Sequence, residues 1–95
     1  MAVGDAVLAH TSTANSSTLS IQPGSGAEWL IHNVYSEKGV QFEFQRTDGT
    51  NDKSTDVFPG GNVAGPWRVN NSFFIKLKNT SGATAYLGYD GVVTK

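Results

Sequence analysis

Apolar and polar residues alternate along much of this chain, most clearly in residues 40–46, where Val40, Phe42 and Phe44 are separated by single polar residues. A period of two places those three side chains on one face of a β-strand. Residues 28–35 are rich in aromatic and β-branched side chains and end just before a short turn at residues 36–39. The two segments therefore predict a β-hairpin.

The same pattern recurs toward the end of the chain, where residues 73–78 and 84–89 flank the turn-forming residues 79–82. We expect a second hairpin there. Shorter strand candidates are residues 6–10, 17–22, 55–58 and 67–70. Turn signals recur every ~8 to 12 residues, and no window has the apolar spacing of a helix. The pattern predicts an all-β fold, a two-sheet antiparallel β-sandwich of about eight short strands, and we favour a jelly roll over an immunoglobulin-like order.

The inward-facing residues of these strands should form one small core, because a chain of 95 residues has the size of one domain. We expect residues 1–95 to be a single domain, with residues 1–5 as a possible N-terminal arm. The predicted core consists of the apolar residues of the alternating segments: Trp29, Ile31, Val40, Phe42, Phe44, Phe73, Ile75, Leu77 and Tyr86.

Charge and cysteine content narrow the range of partners. Seven Lys and Arg residues against eight Asp and Glu give a formal net charge of -1. This balance lacks the positive surface that attracts nucleic acid or an anionic membrane, so we expect neither partner. The absence of cysteine excludes disulfides and thiolate metal sites. The first residues lack a positively charged start followed by a long apolar run, so we expect no signal that directs the chain into a membrane.

Residues that could carry chemistry are few. Asp48, Asn51 and Asp52 place oxygen ligands in one loop, as calcium requires, but their spacing is not that of an EF-hand and an Asp-Gly pair is also a hairpin signal. His10 and His32 lack a third partner for zinc. No nucleophile motif is present. We therefore expect no catalysis, no cofactor and no metal, and calcium at this loop stays open.

Some strand faces that should meet water carry apolar residues. In residues 28–35, the face opposite Trp29 and Ile31 carries Leu30 and Val34. An antiparallel sandwich normally solvates one face of each sheet, so this surplus predicts contact with another chain or with a long loop of the same chain.

We expect that contact at two places. One is the apolar start of the chain, and the other contains side-chain types that are enriched in binding hot spots. The predicted interface residues are Met1, Ala2, Val3, Trp67, Arg68 and Phe74. A lectin-like alternative uses exposed rings to stack on sugars, with Trp67 as the best candidate. A sandwich this small, however, needs most of its aromatic residues in the core.

Two long segments resemble small structural proteins of tailed bacteriophages. They are PGSGAEWLIHNVYSEKGVQFEFQRTDGT, which starts at residue 23, and NSFFIKLKNTSGATAYLGYDGVVTK, which ends at residue 95. The resemblance covers roughly residues 23–54 and 70–95. Its motifs are an EW-I-HN segment before an alternating strand, a DGT turn and a terminal KNTSG, GYDG and TK pattern.

The resemblance implies a small β-sandwich of the capsid decoration or cement type, a non-enzymatic virion protein added in many copies to the outside of the mature shell. The expected partner is the major capsid protein, the expected assembly is a homotrimer, and the expected location is the capsid exterior after assembly in the bacterial host cytoplasm. The alternative is a carbohydrate-binding module of a tail fibre or receptor-binding protein.

Overall fold

A computed structural model describes residues 2–95 of the chain, and these residues form β-strands joined by turns without any helix. The strands are β1 (Ala6–Thr13), β2 (Thr18–Ile21), β3 (Glu28–Ser36), β4 (Phe42–Thr47), β5 (Asp52–Phe58), β6 (Asn62–Asn70), β7 (Phe74–Asn79) and β8 (Ala85–Val93). The predicted all-β class and the predicted number of strands are confirmed for the described residues.

The strands form two four-stranded antiparallel sheets, which we name sheet A (β1-β8-β3-β6) and sheet B (β2-β7-β4-β5). Pairing is nested: β1 pairs with β8, β2 with β7, β3 with β6, and β4 with β5. A long antiparallel hairpin rolled into two sheets produces this nesting. An immunoglobulin domain places its first two strands in one sheet, whereas here β1 and β2 lie in different sheets. The predicted two-sheet antiparallel sandwich is confirmed.

Both hairpins predicted from sequence are wrong. β3 and β4 lie in different sheets, and so do β7 and β8, so the short connections between them cross from one sheet to the other. The one pair of consecutive strands that is hydrogen-bonded within the described chain is β4 and β5. It is joined at the Asp-Gly turn, where the carboxylate of Asp48 accepts hydrogen bonds from the backbone N–H groups of Thr50 and Asn51.

The core lies between the two sheets. Its buried residues are Val7, Ile21, Ile31, Val34, Phe42, Phe44, Val69, Phe74, Ile75, Leu77, Leu87, Tyr89 and Val93. Five predicted core residues, Ile31, Phe42, Phe44, Ile75 and Leu77, are confirmed as buried. Two others, Trp29 and Val40, are partly buried and pack against this cluster.

The predictions for Phe73 and Tyr86 are wrong, because these side chains are 63% and 50% exposed. Phe73 precedes the first residue of β7 and lies in the turn after β6. In β8 the inward-facing residues are Leu87 and Tyr89, so strict alternation puts Tyr86 on the outer face.

A β-bulge at His32 changes the faces of β3. Ile31 and Asn33 pair with the adjacent residues Gly91 and Asp90 of β8, which leaves His32 without a counterpart. One extra residue reverses the face of every residue that follows it. Val34 is therefore buried and Tyr35 lies on the outer face, the opposite of what alternation from Ile31 predicts.

The two long sides of the sandwich differ. On the β1–β2 side the buried Asn79 connects the sheets, because its Nδ2 donates hydrogen bonds to the carbonyls of Thr13 and Ala83, both at 2.7 Å. On the opposite side an open groove separates the edge strands β5 and β6. The sandwich is thus closed along one side and accessible along the other.

Candidate functional site

The outer face of sheet A carries an apolar stripe, defined here as Leu8, Leu30 and Val92. Leu30 and Val92 are directly paired neighbours on β3 and β8, and both are partly exposed. Leu8 lies on β1, pairs with Asp90, and is 66% exposed. The stripe therefore crosses three strands of a face that an isolated sandwich would leave in water.

The same face carries an aromatic cluster, defined as His10, Tyr35 and Tyr86. The rings of His10 and Tyr86 are perpendicular, with centroids 5.9 Å apart. The Tyr35 ring lies over Gly88, where an added Cβ would be 2.5 Å from the ring. With Ser36 and Glu37 the cluster lines a shallow pocket of about 410 Å³.

A line of polar residues lies between the paired residues Leu30 and Val92 and the aromatic cluster, and Leu8 is at the β1 end of that line. Asn33 donates a hydrogen bond to Asp90 at 2.9 Å and accepts one from Asn62 at 3.0 Å. Partial burial, helped by the charge of Asp90, raises the pKa of Tyr35 above its ordinary value of 10.0. On the outer face of sheet A the polar residues thus separate Leu30 and Val92 from the aromatic cluster, whereas Leu8 lies beside Asp90.

The outer face of sheet B is polar except for Val57, which is 58% exposed on the edge strand β5. Glu43 and Lys78 are directly paired on β4 and β7, and Lys76 forms an ion pair with Asp52 at 3.0 Å. Hydrogen bonds from Gln45 and a serine lower the pKa of Glu43, and hydrogen bonds from Thr47 and Lys76 lower that of Asp52. This face has the composition expected of a solvated sheet.

Three predicted interface residues, Trp67, Arg68 and Phe74, line the open groove between β5 and β6. Arg68 is exposed and contacts Glu28 at 3.4 Å. Trp67 is only partly exposed, because its ring packs against Phe44 at a centroid distance of 5.0 Å. The expectation that Phe74 is an exposed contact is wrong: it is 8% exposed and belongs to the core. A run of two phenylalanines does not show which one enters the core.

The N-terminal interface residues lie elsewhere. Ala2 and Val3 form a turn in which the Ala2 N–H donates to the Asp5 carboxylate at 2.8 Å and the Gly4 N–H donates to the Val93 carbonyl at 2.8 Å. Val3 is 72% exposed. Met1 lies outside the described residues. The turn is at the β1 edge of sheet A, so β8 and β3 separate it from the groove at β6.

The loop considered for calcium uses its oxygens internally. The Asp48 carboxylate accepts bonds from Thr50 and Asn51, which lower its pKa, and Asp52 is paired with Lys76. Within residues 2–95 no group of three or more His, Cys, Asp or Glu side chains is placed to hold a metal ion.

Sequence reasoning missed the exposed Leu8, although the four consecutive apolar residues 6–9 signal that alternate members of the run face outward. It also missed Tyr35 as an outer-face residue, because the bulge at His32 leaves no signal in the apolar pattern.

No protein-family model matches this chain, and no curated protein matches it in sequence. In the part of the chain that the structure describes, no helix is long and apolar enough to cross a membrane. The function is therefore argued from the surfaces of the sandwich.

Proposed function

We propose that this protein is a non-enzymatic capsid decoration protein of a tailed bacteriophage, which binds the outside of the mature shell and stabilises contacts between major capsid subunits. The observation that carries the proposal is the apolar stripe on the outer face of sheet A, since the matching face of sheet B is polar. Exposed apolar surface of this kind is typical of a protein interface. The resemblance to phage structural proteins supplies the identity of the partner.

The size of the face suits such a contact. The Cα atoms span principal extents of 36 × 26 × 19 Å, so one broad face covers roughly 900 Å². A stable interface of standard size uses ~800 Å² from each partner. The outer face of sheet A is therefore large enough for one stable contact that includes the apolar stripe.

A homotrimer fits the proposed location. Capsomers meet at three-fold and local three-fold positions, where a trimer contacts several chains through one repeated interface. Binding to the assembled shell but not to its separate subunits stabilises the shell by mass action, and many copies add their effects. This role requires surface complementarity and no chemistry.

The test compares two exposed apolar residues on opposite sheets. Leu8→Lys, in the apolar stripe, should reduce occupancy on expanded particles that lack the protein by about tenfold or more, because it places a charge in the contact. Val57→Lys is the matched control, because Val57 is 58% exposed on the outer face of sheet B. Each new lysine lies opposite a carboxylate, Asp90 or Glu43, so neither variant pairs like charges. Both variants should unfold within about 0.5 kcal/mol of the parent protein.

Occupancy is measured by co-sedimentation of purified protein with the particles, and shell stability by their thermal disruption. Failure of the parent protein to bind, or equal heat resistance of particles with and without it, contradicts the decoration role. Equal loss of occupancy in both variants contradicts only the assignment of the contact to sheet A.

The alternative is a carbohydrate-binding module of a tail fibre or receptor-binding protein. The exposed ring of Phe73 and the partly exposed ring of Trp67 favour it, because both line the open groove. Location separates the two functions: a decoration protein covers the shell in hundreds of copies, whereas a tail module is confined to the tail. Labelling virions with an antibody to the chain makes that distinction.

A further inference from the structure

The open side of the sandwich contains what we name the side groove, a cleft of about 1130 Å³ between the edge strands β5 and β6. Its charged and aromatic lining includes Arg46 and Lys53 from sheet B, Trp67 from sheet A, and Phe73 from the turn after β6. The side groove is separate from the outer face of sheet A, so a ligand bound in it would be independent of the proposed attachment to a capsid.

Two positive charges face each other in the side groove. Arg46 and Lys53 are direct cross-strand partners on β4 and β5. The Arg46 guanidinium lies 5.7 Å from the ring centroid of the buried Phe44, which shows that Arg46 points to the inner side of sheet B. Like charges directly opposite each other destabilise a sheet.

The described chain gives this pair of cations no ion-pair partner. Neither Arg46 nor Lys53 forms a salt bridge with the residues that the structure describes. The acidic residue in the groove lining, Asp48, already accepts hydrogen bonds from Thr50 and Asn51. Those hydrogen bonds leave the Asp48 carboxylate charged. The lining also contains Arg68, so three cations accompany one carboxylate, and the groove as a whole is complementary to an anionic ligand.

Aromatic rings line the same groove as these cations. Phe73 is 63% exposed and lines the groove together with the partly exposed Trp67. Asn51 and Thr55 add side chains that can exchange hydrogen bonds with hydroxyl groups. Apolar rings with a few polar and charged groups are the composition of a site for a small organic ligand.

The two edge strands disfavour an extended peptide as the ligand. Pro66 on β6 has no N–H to donate, and a bulge interrupts β5 at Thr55, between the pairs Phe44–Asp56 and Gln45–Ser54. Pro, Lys and bulges on edge strands hinder the addition of another strand. The net charge of -1 is also unlike that of proteins that bind nucleic acid.

We infer that the side groove binds an acidic oligosaccharide, whose carboxylate or sulfate groups pair with Arg46 and Lys53 while its sugar rings lie against Trp67 and Phe73. The two cations supply charge-assisted hydrogen bonds to the acid groups. The rings supply apolar contact, and Thr55 and Asn51 lie within the same lining to meet hydroxyl groups.

The experiment titrates the isolated chain with defined probes and follows backbone amide signals by NMR. The probes are a galacturonic acid hexasaccharide, a heparin hexasaccharide, the neutral maltohexaose, a poly-glutamate peptide and an oligo-dT strand. We expect saturable shifts around Arg46, Lys53 and Phe73 with at least one acidic oligosaccharide, and none with maltohexaose. The carboxylated and sulfated probes separate the two kinds of acid group.

Variants test whether the cations bind the ligand. Arg46→Gln and Lys53→Gln should each weaken binding about tenfold, since each removes a charge-assisted hydrogen bond. Lys53→Gln should keep or raise the Tm, because it relieves the repulsion between like charges. Arg46→Gln relieves the same repulsion but also removes the contact with the Phe44 ring, so its Tm should change little. Lys38→Gln makes the same change in net charge on the connection before β4, away from the groove, and should bind like the parent protein. Phe73→Ala should also weaken binding without loss of the fold.

Absence of binding to either acidic oligosaccharide overturns the inference. So does binding of poly-glutamate or oligo-dT alone, or binding that Arg46→Gln and Lys53→Gln leave unchanged. A Tm that falls in both glutamine variants, together with unchanged binding, assigns the cations a structural role instead.

Discussion

The outer faces of the two sheets are built on the same strand geometry and have opposite character. Sheet A exposes Leu8 and Tyr86, and its partly exposed Leu30 and Val92 pair across β3 and β8. Sheet B exposes a ladder of lysine, glutamate and glutamine, with an ion pair to Asp52. A solvated face of an antiparallel sheet is commonly polar. This difference is the reason that we propose sheet A, and not sheet B, as the side that meets a partner.

The same contrast appears in the titratable groups. Hydrogen bonds lower the pKa values of Glu43, Asp48 and Asp52, all on sheet B or its β4–β5 turn. Burial raises the pKa values of Tyr35 and Tyr89, both on sheet A. The three carboxylates are therefore favoured in their charged form, whereas the two tyrosines are favoured in their neutral form.

The largest expected effect on the free energy of unfolding comes from the core, because both sheets are apolar on their inner faces. Phe42 is fully buried on the inner face of sheet B. Phe42→Ala should lower the free energy of unfolding by about 3–5 kcal/mol, through lost burial and the cavity that remains. Urea unfolding followed by tryptophan fluorescence measures it. Val57→Ala on the outer face should change it by less than about 0.5 kcal/mol. A loss below about 1 kcal/mol for Phe42→Ala would exclude Phe42 from the core.

The next largest expected effect on stability comes from the close packing of β8 against β3 at Gly91. A Cβ on Gly91 would collide with the Leu30 carbonyl and approach the Ile31 Cα at 2.9 Å, so the backbone of β3 must move. Gly91→Ala should therefore destabilise the protein by about 2–3 kcal/mol. The control is Gly24→Ala, because a Cβ there meets nothing within 4 Å. Similar stabilities for the two variants would show that β3 and β8 are not closely packed at Gly91.

The smallest expected effect is a pH dependence of stability. It should have opposite signs for the titratable groups of the two sheets. A depressed carboxyl pKa adds stability that is present above the unfolded value and is lost as the pH falls through the folded value. Glu43, Asp48 and Asp52 should therefore weaken the fold below pH ~4. A raised tyrosine pKa adds stability that is present below about pH 10 and is lost as the pH rises through the folded value. Urea midpoints across this range measure both limbs.

Single substitutions assign each limb of that profile to its sheet. Asp52→Asn should flatten the acid limb and leave the alkaline limb unchanged, and Tyr35→Phe should do the reverse. If Asp52→Asn alters the alkaline limb as much as the acid limb, the two sheets do not titrate independently.

The pattern of apolar and polar residues was sufficient to predict the approximate positions of the strands and part of the core. Alternation in residues 40–46 correctly predicted that Phe42 and Phe44 face inward, because side-chain direction in a strand depends only on neighbouring residues. The Asp-Gly turn likewise occurs between directly paired strands. Local patterns failed at strand ends, where Phe73 and Phe74 compete for one core position and only packing selects Phe74.

Sequence by itself determined the all-β class and the approximate strand positions, because both follow from local periodicity and turn chemistry. Tertiary structure decided which strands pair, since the nested pairs join residues as far apart as Ala6 and Val92. It also decided the face of Tyr35, because only the pairing with β8 reveals the extra residue at His32. The tertiary structure also decided the lining of the side groove. Arg46 and Lys53 become neighbours through the register of β4 and β5, and Trp67 lines the same groove because the two sheets stack.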